Sequence, residues 1–254
     1  MKTNRQKRSN NRSFAEIFGT HAVYAALLNP ERNHIKLFVS QNQRESLSKS
    51  MEKLVPEINE LHSKEMFKMF GNEATHQGIV LRTSKLKQPK LEDYIKESNK
   101  LTSNVVIILD QVTDPQNVGA IIRSAHAFKM NGVALSQRNS PLETAAMSKA
   151  SSGAIEKLDI IELSNMAREI KKLQQSNFTV YGLANGGETN VFSLENETDN
   201  IAIILGSEGK GLRRLTKEKV DRLITIPISD ESESLNVSSA ASVAMFQLQK
   251  NLLV

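Results

Sequence analysis

Residues 104–254 predict an α/β domain built on a mostly parallel sheet. Two observations carry this. The strands are almost continuously apolar, as when both faces of a sheet are covered, and they alternate regularly with amphipathic helices. A third, at the front of the chain, predicts a smaller α/β unit: short strand and helix patterns over 14–83, set off by a polar stretch.

The chain opens on a basic tail, residues 1–13. It holds Lys2, Arg5, Lys7, Arg8 and Arg12 and no acid. The whole 254-residue chain has a net charge of +5, so the remainder is formally neutral. The tail's polar composition predicts disorder. A basic arm fits a phosphate backbone, and it fits a solubilising tail equally well. An organelle-targeting segment fits less well, because an amphipathic apolar face is missing.

Residues 14–29 carry a helical pattern that Pro30 stops. A strand follows over 35–40, an amphipathic helix over 44–54, a strand over 57–62 and a short helix over 63–70 that ends at Gly71. Residues 77–82 form a further strand. This unit of about 70 residues is near the lower size limit for a core of its own. Residues 84–103 are polar and hold Pro89; they read as a linker with a marginal helix around 91–97.

In the larger domain, strands are predicted over 105–110, 133–135, 158–163, 178–184, 201–205 and 223–228. Helices are predicted over 118–128, 142–151, 166–175 and 211–220. An acidic polar loop spans 229–234, and a closing helix begins near Asn236, a natural N-cap. That helix has an apolar stripe at Val237, Ala241, Ala244, Met245, Leu248 and Leu252.

Composition narrows the chemistry. There is no cysteine, which removes disulfides, thiolate metal sites, iron–sulfur clusters and any cysteine nucleophile, and agrees with a reducing cytosol. The histidines His21, His34, His62, His76 and His126 lack metal-ligand spacing, and no apolar run is long enough to span a membrane.

Three segments sit at the carboxyl ends of predicted strands, where such sheets bind ligands. The first is 110–124, DQVTDPQNVGAIIRS, in which Arg123 projects away from the stripe of Val118, Ile121, Ile122 and Ala125. An arginine so placed serves a phosphate, a carboxylate or solvent. The second is 205–214, LGSEGKGLRR, whose glycines let backbone approach a ligand. It is neither a phosphate-binding loop of the Walker type nor a dinucleotide fingerprint. Arg213, Arg214, Lys217 and Lys219 read as a solvated basic face. The third runs from Ile226-Pro227-Ile228 to Ser234-Leu235-Asn236-Val237-Ser238-Ser239.

In this order and spacing the three segments resemble the motifs of the SpoU (TrmH-like) family of RNA ribose 2′-O-methyltransferases. The likeness is strongest to the subgroup acting on a guanosine of 23S rRNA. Gly19-Thr20-His21-Ala22-Val23 and His76-Gln77-Gly78-Ile79-Val80 resemble that subgroup's small substrate-binding domain. The resemblance covers almost everything except the tail, and together with composition it divides the chain into a tail over 1–13, an RNA substrate-binding domain over 14–83, a linker over 84–103 and a methyltransferase domain over 104–254. It also implies a C-terminal trefoil knot, an exception to the rule that chains are unknotted. It implies S-adenosylmethionine held by Ala184, Gly206, Ser207, Gly209, Ile226, Ile228 and Leu235. Asn117, Arg123, Glu208, Asn236 and Ser238 would form the catalytic set. A cytoplasmic homodimer acting on ribosomal RNA, with no metal and no membrane, completes the expectation. The same chemistry on tRNA or another rRNA site, and a non-catalytic RNA-binding assembly factor, are the alternatives. Arginine stays protonated, so Arg123 is expected to grip a phosphate and stabilise a developing oxyanion rather than act as a base.

Overall fold

The computed structural model describes residues 13–70, 76–98, 100–136, 144–194 and 200–249. Residues 1–12 of the tail, the expected helix stop at Gly71, the expected helix start at 142 and Leu252 lie outside them. In chain order the strands are β1 (Phe14–Phe18), β2 (His34–Val39), β3 (Ile58–Glu60), β4 (Ile79–Ser84), β5 (Asn104–Asp110), β6 (Gly132–Ser136), β7 (Asp159–Leu163), β8 (Thr179–Leu183), β9 (Thr189–Asn190), β10 (Asn200–Gly206) and β11 (Arg222–Thr225). The α-helices are α1 (Thr20–Leu27), α2 (Gln41–Ser46), α3 (Lys49–Glu52), α4 (Ser63–Phe70), α5 (Leu91–Ser98), α6 (Pro115–Ala127), α7 (Ala145–Ser151), α8 (Met166–Gln175), α9 (Arg214–Lys219) and α10 (Val237–Leu248). The chain divides into two compact units. One is Met1–Lys87 with Leu142–Glu156; the other is Gln88–Pro141 with Lys157–Val254.

The first unit holds a four-stranded sheet in the order β1-β4-β2-β3, antiparallel except for the β2–β3 pair. Residues 14–18 are strand, not the start of a helix as expected. Their apolar positions fit both periods, but Ala15 and Ile17 are buried on one face while Phe14 and Glu16 are only half-buried. Gly19 then turns the chain at φ 89° into α1. The single helix expected over 44–54 is two short ones, because serines cap each start. Ser40 Oγ accepts from Gln43 N, and Ser48 Oγ accepts from Met51 N. One sheet face packs Ile17, Leu37, Val39, Ile79 and Leu81 against Val23 and Leu27 of α1. The other packs Phe18, Phe38 and Val80 against Met66.

Helix α7 and the 3-10 turn Ala154–Glu156 belong to this unit although they follow β6 in sequence. A buried ion network fastens them. Glu156 accepts from Arg32 Nη2 (2.6 Å) and Nε (3.0 Å) and from Asn29 Nδ2 (2.8 Å). The Arg32 and Glu156 side chains are essentially inaccessible to water.

The second unit is a seven-stranded sheet in the order β7-β6-β5-β10-β8-β11-β9, with every pairing parallel. This agrees with the mostly parallel sheet read from the sequence. All seven residues of β5 are buried. Strand order turns back between β5 and β10, and a crevice opens beyond the carboxyl ends of strands at such a point. Strand β11 ends at Thr225, short of the expected 228, because Pro227 has no N–H to give the ladder. Helix α9 starts at Arg214 rather than 211, since Gly211 takes a left-handed φ of 62°. The linker helix forms over 91–98 and buries Leu91, Tyr94 and Ile95.

Candidate active site

The site is assembled from four strand ends and the start of α10. After β5, Asp114 caps α6 by accepting from Gln116 N (3.1 Å), with Pro115 in the first turn. This fixes Asn117 one turn in. After β10, Gly206 begins a tight turn in which Ser207 O accepts from Gly211 N (2.8 Å) and Glu208 O from Lys210 N (2.9 Å). A Cβ at Gly206 would sit 2.1 Å from the Gly211 carbonyl carbon, so this strand end requires glycine. Asn236 caps α10, its Oδ1 accepting from Ser238 N (2.8 Å) and Ser238 Oγ (2.6 Å).

Three of these groups meet. Glu208 Oε1 accepts from Asn117 Nδ2 (3.1 Å) and from Asn236 Nδ2, and Asn236 Nδ2 lies 3.2 Å from Asn117 Oδ1. The carboxylate thus holds amides from two helices whose residues are 119 apart in sequence. Ser242 Oγ bonds Ser238 O (2.9 Å) and Ser124 Oγ (2.9 Å), which ties α10 to α6.

Beside this cluster lies a cleft of about 360 Å³, within the range of small-molecule sites. Its apolar wall includes Leu183, Ile226, Ile228, Leu235 and Val237, and its charged rim Glu208, Lys210, Lys217 and Glu233. The loop 229–235 is held over it, with Asn185 Nδ2 donating to Glu233 O (2.8 Å). All seven residues expected to hold a cofactor, Ala184, Gly206, Ser207, Gly209, Ile226, Ile228 and Leu235, line this one cleft.

A family model for SpoU rRNA methylases matches residues 104–246, and one for RNA 2′-O ribose methyltransferase substrate binding matches 17–89. The chain belongs to the SpoU rRNA methylase family. It is 34% identical over 93% of its length to a 23S rRNA (guanosine-2′-O-)-methyltransferase RlmB of Pasteurella multocida, spanning 98% of that protein. It is 32% identical over 91% of its length to the RlmB of Escherichia coli, spanning 96%. The same identity and coverage relate it to an uncharacterized tRNA/rRNA methyltransferase of Synechocystis, of which the chain spans 61%. Several solved structures share the fold, two of them with AdoMet bound. An AdoMet-bound rRNA methyltransferase from Sinorhizobium meliloti has a TM-score of 0.81 at 20% identity, with 98% of this chain and 92% of that one covered. The SpoU methyltransferase AviRb from Streptomyces viridochromogenes, in complex with AdoMet, has a TM-score of 0.79 at 20% identity, with 99% and 94% covered.

Of the five residues expected to be catalytic, Asn117, Glu208, Asn236 and Ser238 form one hydrogen-bonded group. Arg123 does not join it. It is exposed on α6 and makes no hydrogen bond or ion pair among the described residues. Sequence reasoning passed over Asn185, Lys210 and Glu233, which are ordinary surface residues by type, and read Lys217, which also lines the cleft, as solvated. It also read Arg213 as solvated. Arg213 instead grips Asp110, which ends β5 almost wholly buried, through Nη2 (2.7 Å) and Nε (3.1 Å), and Thr216 Oγ1 donates to the same carboxylate (2.7 Å). A lone acid closing an unbroken apolar run, Val105–Leu109, was the available signal.

Proposed function

We propose that this chain transfers a methyl group from S-adenosylmethionine to the ribose 2′-oxygen of a guanosine in 23S rRNA. The observation that carries the reading is the cleft lined by Gly206, Ile226 and Leu235 directly beside the Asn117–Glu208–Asn236 cluster. The RlmB relatives, similar over nearly the whole chain, favour the guanosine of 23S rRNA as the target.

The cleft suits the methyl donor in its chemistry. Backbone at Gly206 leaves no room for a side chain, apolar residues offer a wall for a purine, and the rim offers both signs of charge to an amino-acid zwitterion. When bound, S-adenosylmethionine supplies an electrophilic methyl carbon, so the protein's task is position and electrostatics. A 2′-hydroxyl is a weak nucleophile until its charge is stabilised. Arg123, without a partner among the described residues, grips the phosphate of the target nucleotide and stabilises the oxyanion as it forms. Glu208, held by two amides, orients the ribose. Asn236 and Ser238 hold that carboxylate and the start of α10 in place.

Three finer features belong to the same reading. The last segment is threaded through the chain as a trefoil knot, which suits a cleft walled by 226–237 together with 205–212. The enzyme works as a homodimer, for which the exposed Phe192 and Phe246 offer apolar surface. It acts in the cytoplasm, where ribosomal RNA is made. Residues 17–89 present the RNA.

The test maps ribose methyl groups in RNA from cells with and without the gene. Loss of one guanosine 2′-O-methyl group from 23S rRNA supports the proposal. An unchanged map, or no heat of S-adenosylmethionine binding to the purified protein, overturns it.

A further inference from the structure

The two front motifs, Gly19-Thr20-His21 and His76-Gln77-Gly78, meet at one end of the first unit's sheet. Thr20 N donates to Gln77 Oε1 (3.0 Å). Gln43 Nε2 donates to Gln77 O (3.0 Å) and Thr20 Oγ1 (3.2 Å), and Ser40 N donates to Gly78 O (2.7 Å). Gln77 is held at φ 51°, in the left-handed region, by these bonds. The lacing alone explains a stable turn. Two further facts do not follow from it.

First, His76 is 4% exposed and has an orphan donor. Its Nδ1 accepts from Gly78 N (3.0 Å), so the neutral ring carries its proton on Nε2. Burial lowers the pKa of this ring and keeps it neutral. The Nε2 atom is buried with no hydrogen-bond partner among the described residues. A buried donor left unmade is costly, so such a group calls for a partner. Second, the Phe67 ring lies 5.0 Å from the His76 ring and is 45% exposed. Phe67 sits on α4 between Lys64 and Lys68, one helical turn apart. Both lysines are exposed and neither forms an ion pair among the described residues. The nearby Glu65 is occupied with the helix start, where it accepts from His62 N (3.0 Å).

We propose that this face is a site for one unpaired nucleobase of the RNA substrate, stacked on Phe67, with Lys64 and Lys68 against the flanking phosphates and the covered His76 Nε2–H reached by the base edge only as the Phe67 ring shifts to take the base. This deepens the methyltransferase reading and rests on it for the identity of the ligand as RNA. An exposed aromatic between two cations is the arrangement that single-stranded RNA uses, because every base has a face to stack while phosphates need only charge. A neutral donor adds what charge does not, a preference among base edges.

The test uses the full-length protein and a short single-stranded RNA oligonucleotide carrying 2-aminopurine, with a fully paired duplex and heparin as comparisons. Phe67→Ala weakens binding of the single strand by about tenfold or more. Phe67→Trp restores it, and the change in 2-aminopurine emission is lost only in the alanine variant. The slope of affinity against salt is unchanged by Phe67→Ala and falls in Lys64→Ala/Lys68→Ala. His76→Phe keeps the buried volume and lowers affinity several-fold with loss of preference among bases. Phe67 is half-exposed, so its variants fold, and S-adenosylmethionine binding in the same samples is unaltered. Binding by Phe67→Ala equal to the unmutated chain overturns the proposal. So does equal binding of the duplex by the unmutated chain, or an equal loss of heparin affinity in Phe67→Ala, either of which marks a non-specific polyanion surface. Loss of stacking in a protein that binds no S-adenosylmethionine supports the base site while overturning the methyl-transfer reading.

Discussion

Asn236→Asp separates the two jobs of one residue. In the native chain Oδ1 of Asn236 caps α10 while Nδ2 donates to Glu208 and Asn117. Aspartate is as good an N-cap as asparagine, so helix stability changes by less than about 0.5 kcal/mol. The donor side is lost. A hydrogen bond to a charged group contributes about 1.5–3 kcal/mol. The new carboxylate also faces Glu208, and both are exposed, so their repulsion adds only about 1 kcal/mol. The sum, near 3 kcal/mol, is a fall in methyl transfer of about a hundredfold at 1.36 kcal/mol per decade. Single-turnover transfer of tritiated methyl groups from S-adenosylmethionine into a 23S rRNA transcript measures the rate, and denaturant unfolding the stability. Acidification recovers part of the activity, because one of two adjacent carboxylates takes up a proton. A rate within threefold of the unmutated protein refutes the reasoning, and so does a loss of stability that accounts for the loss of activity.

Three further outcomes are expected. Gly206→Ala places a methyl group 2.1 Å from backbone of Gly211; S-adenosylmethionine binding falls below detection by calorimetry, with a stability loss of at least about 1–3 kcal/mol. Glu156→Ala removes the buried carboxylate that accepts from Arg32 Nε and Nη2 and lowers the stability of the first unit by about 1.5–3 kcal/mol, seen as faster hydrogen exchange in β2 and β4. Burial, as the largest cause for each, lowers the folded-state pKa of His34 and His76 below 6.5, so the unfolded chain takes up protons that the native chain refuses. The stability these neutral rings contribute is therefore complete above pH 6.5 and is lost as pH falls below it, which denaturant unfolding between about pH 5.5 and 7.5 measures; a rise on acidification in this window contradicts the assignment.

Much of the larger sheet was legible because its strands are buried on both faces. Asn104–Asp110 and Asn200–Gly206 lie side by side at its centre, and an unbroken apolar run admits few other readings. The front of the chain was less so. Phe14, Ile17 and Phe18 fit a helical stripe as well as a strand, and only pairing with β4 decides between them. Residues 144–156 carry no local sign of their destination. They are placed by groups far off in sequence, such as Arg32 and Asn29 on Glu156, and Ala25 so near Gly153 that a Cβ there would lie 2.6 Å from it. The cleft shows the same division. Its glycines and Asn236 stand out by type and position, whereas Asn185 and Glu233 enter through a bond from the Asn185 side chain to the Glu233 carbonyl that no pattern announces. Arg213 was misread because a charged residue expected on a short exposed helix is ordinarily solvated, whereas it precedes α9 and its partner lies 103 residues away.

Asn236 also shows why site and fold are hard to separate in this molecule. Residues of a helix start have unsatisfied N–H groups, and a polar cap is the local remedy. Here the cap is an amide rather than a hydroxyl, and the choice has a consequence. A serine at this position would satisfy the helix equally well, yet it offers one short donor instead of an NH₂ group that reaches Glu208 and Asn117. The local rule therefore narrows the residue to a few types, and the site narrows it to one. Because the same side chain orders α10 and the carboxylate beside the cleft, closing the last helix and completing the cluster are one event. A ligand that binds only the completed cleft must then stabilise α10 against local opening.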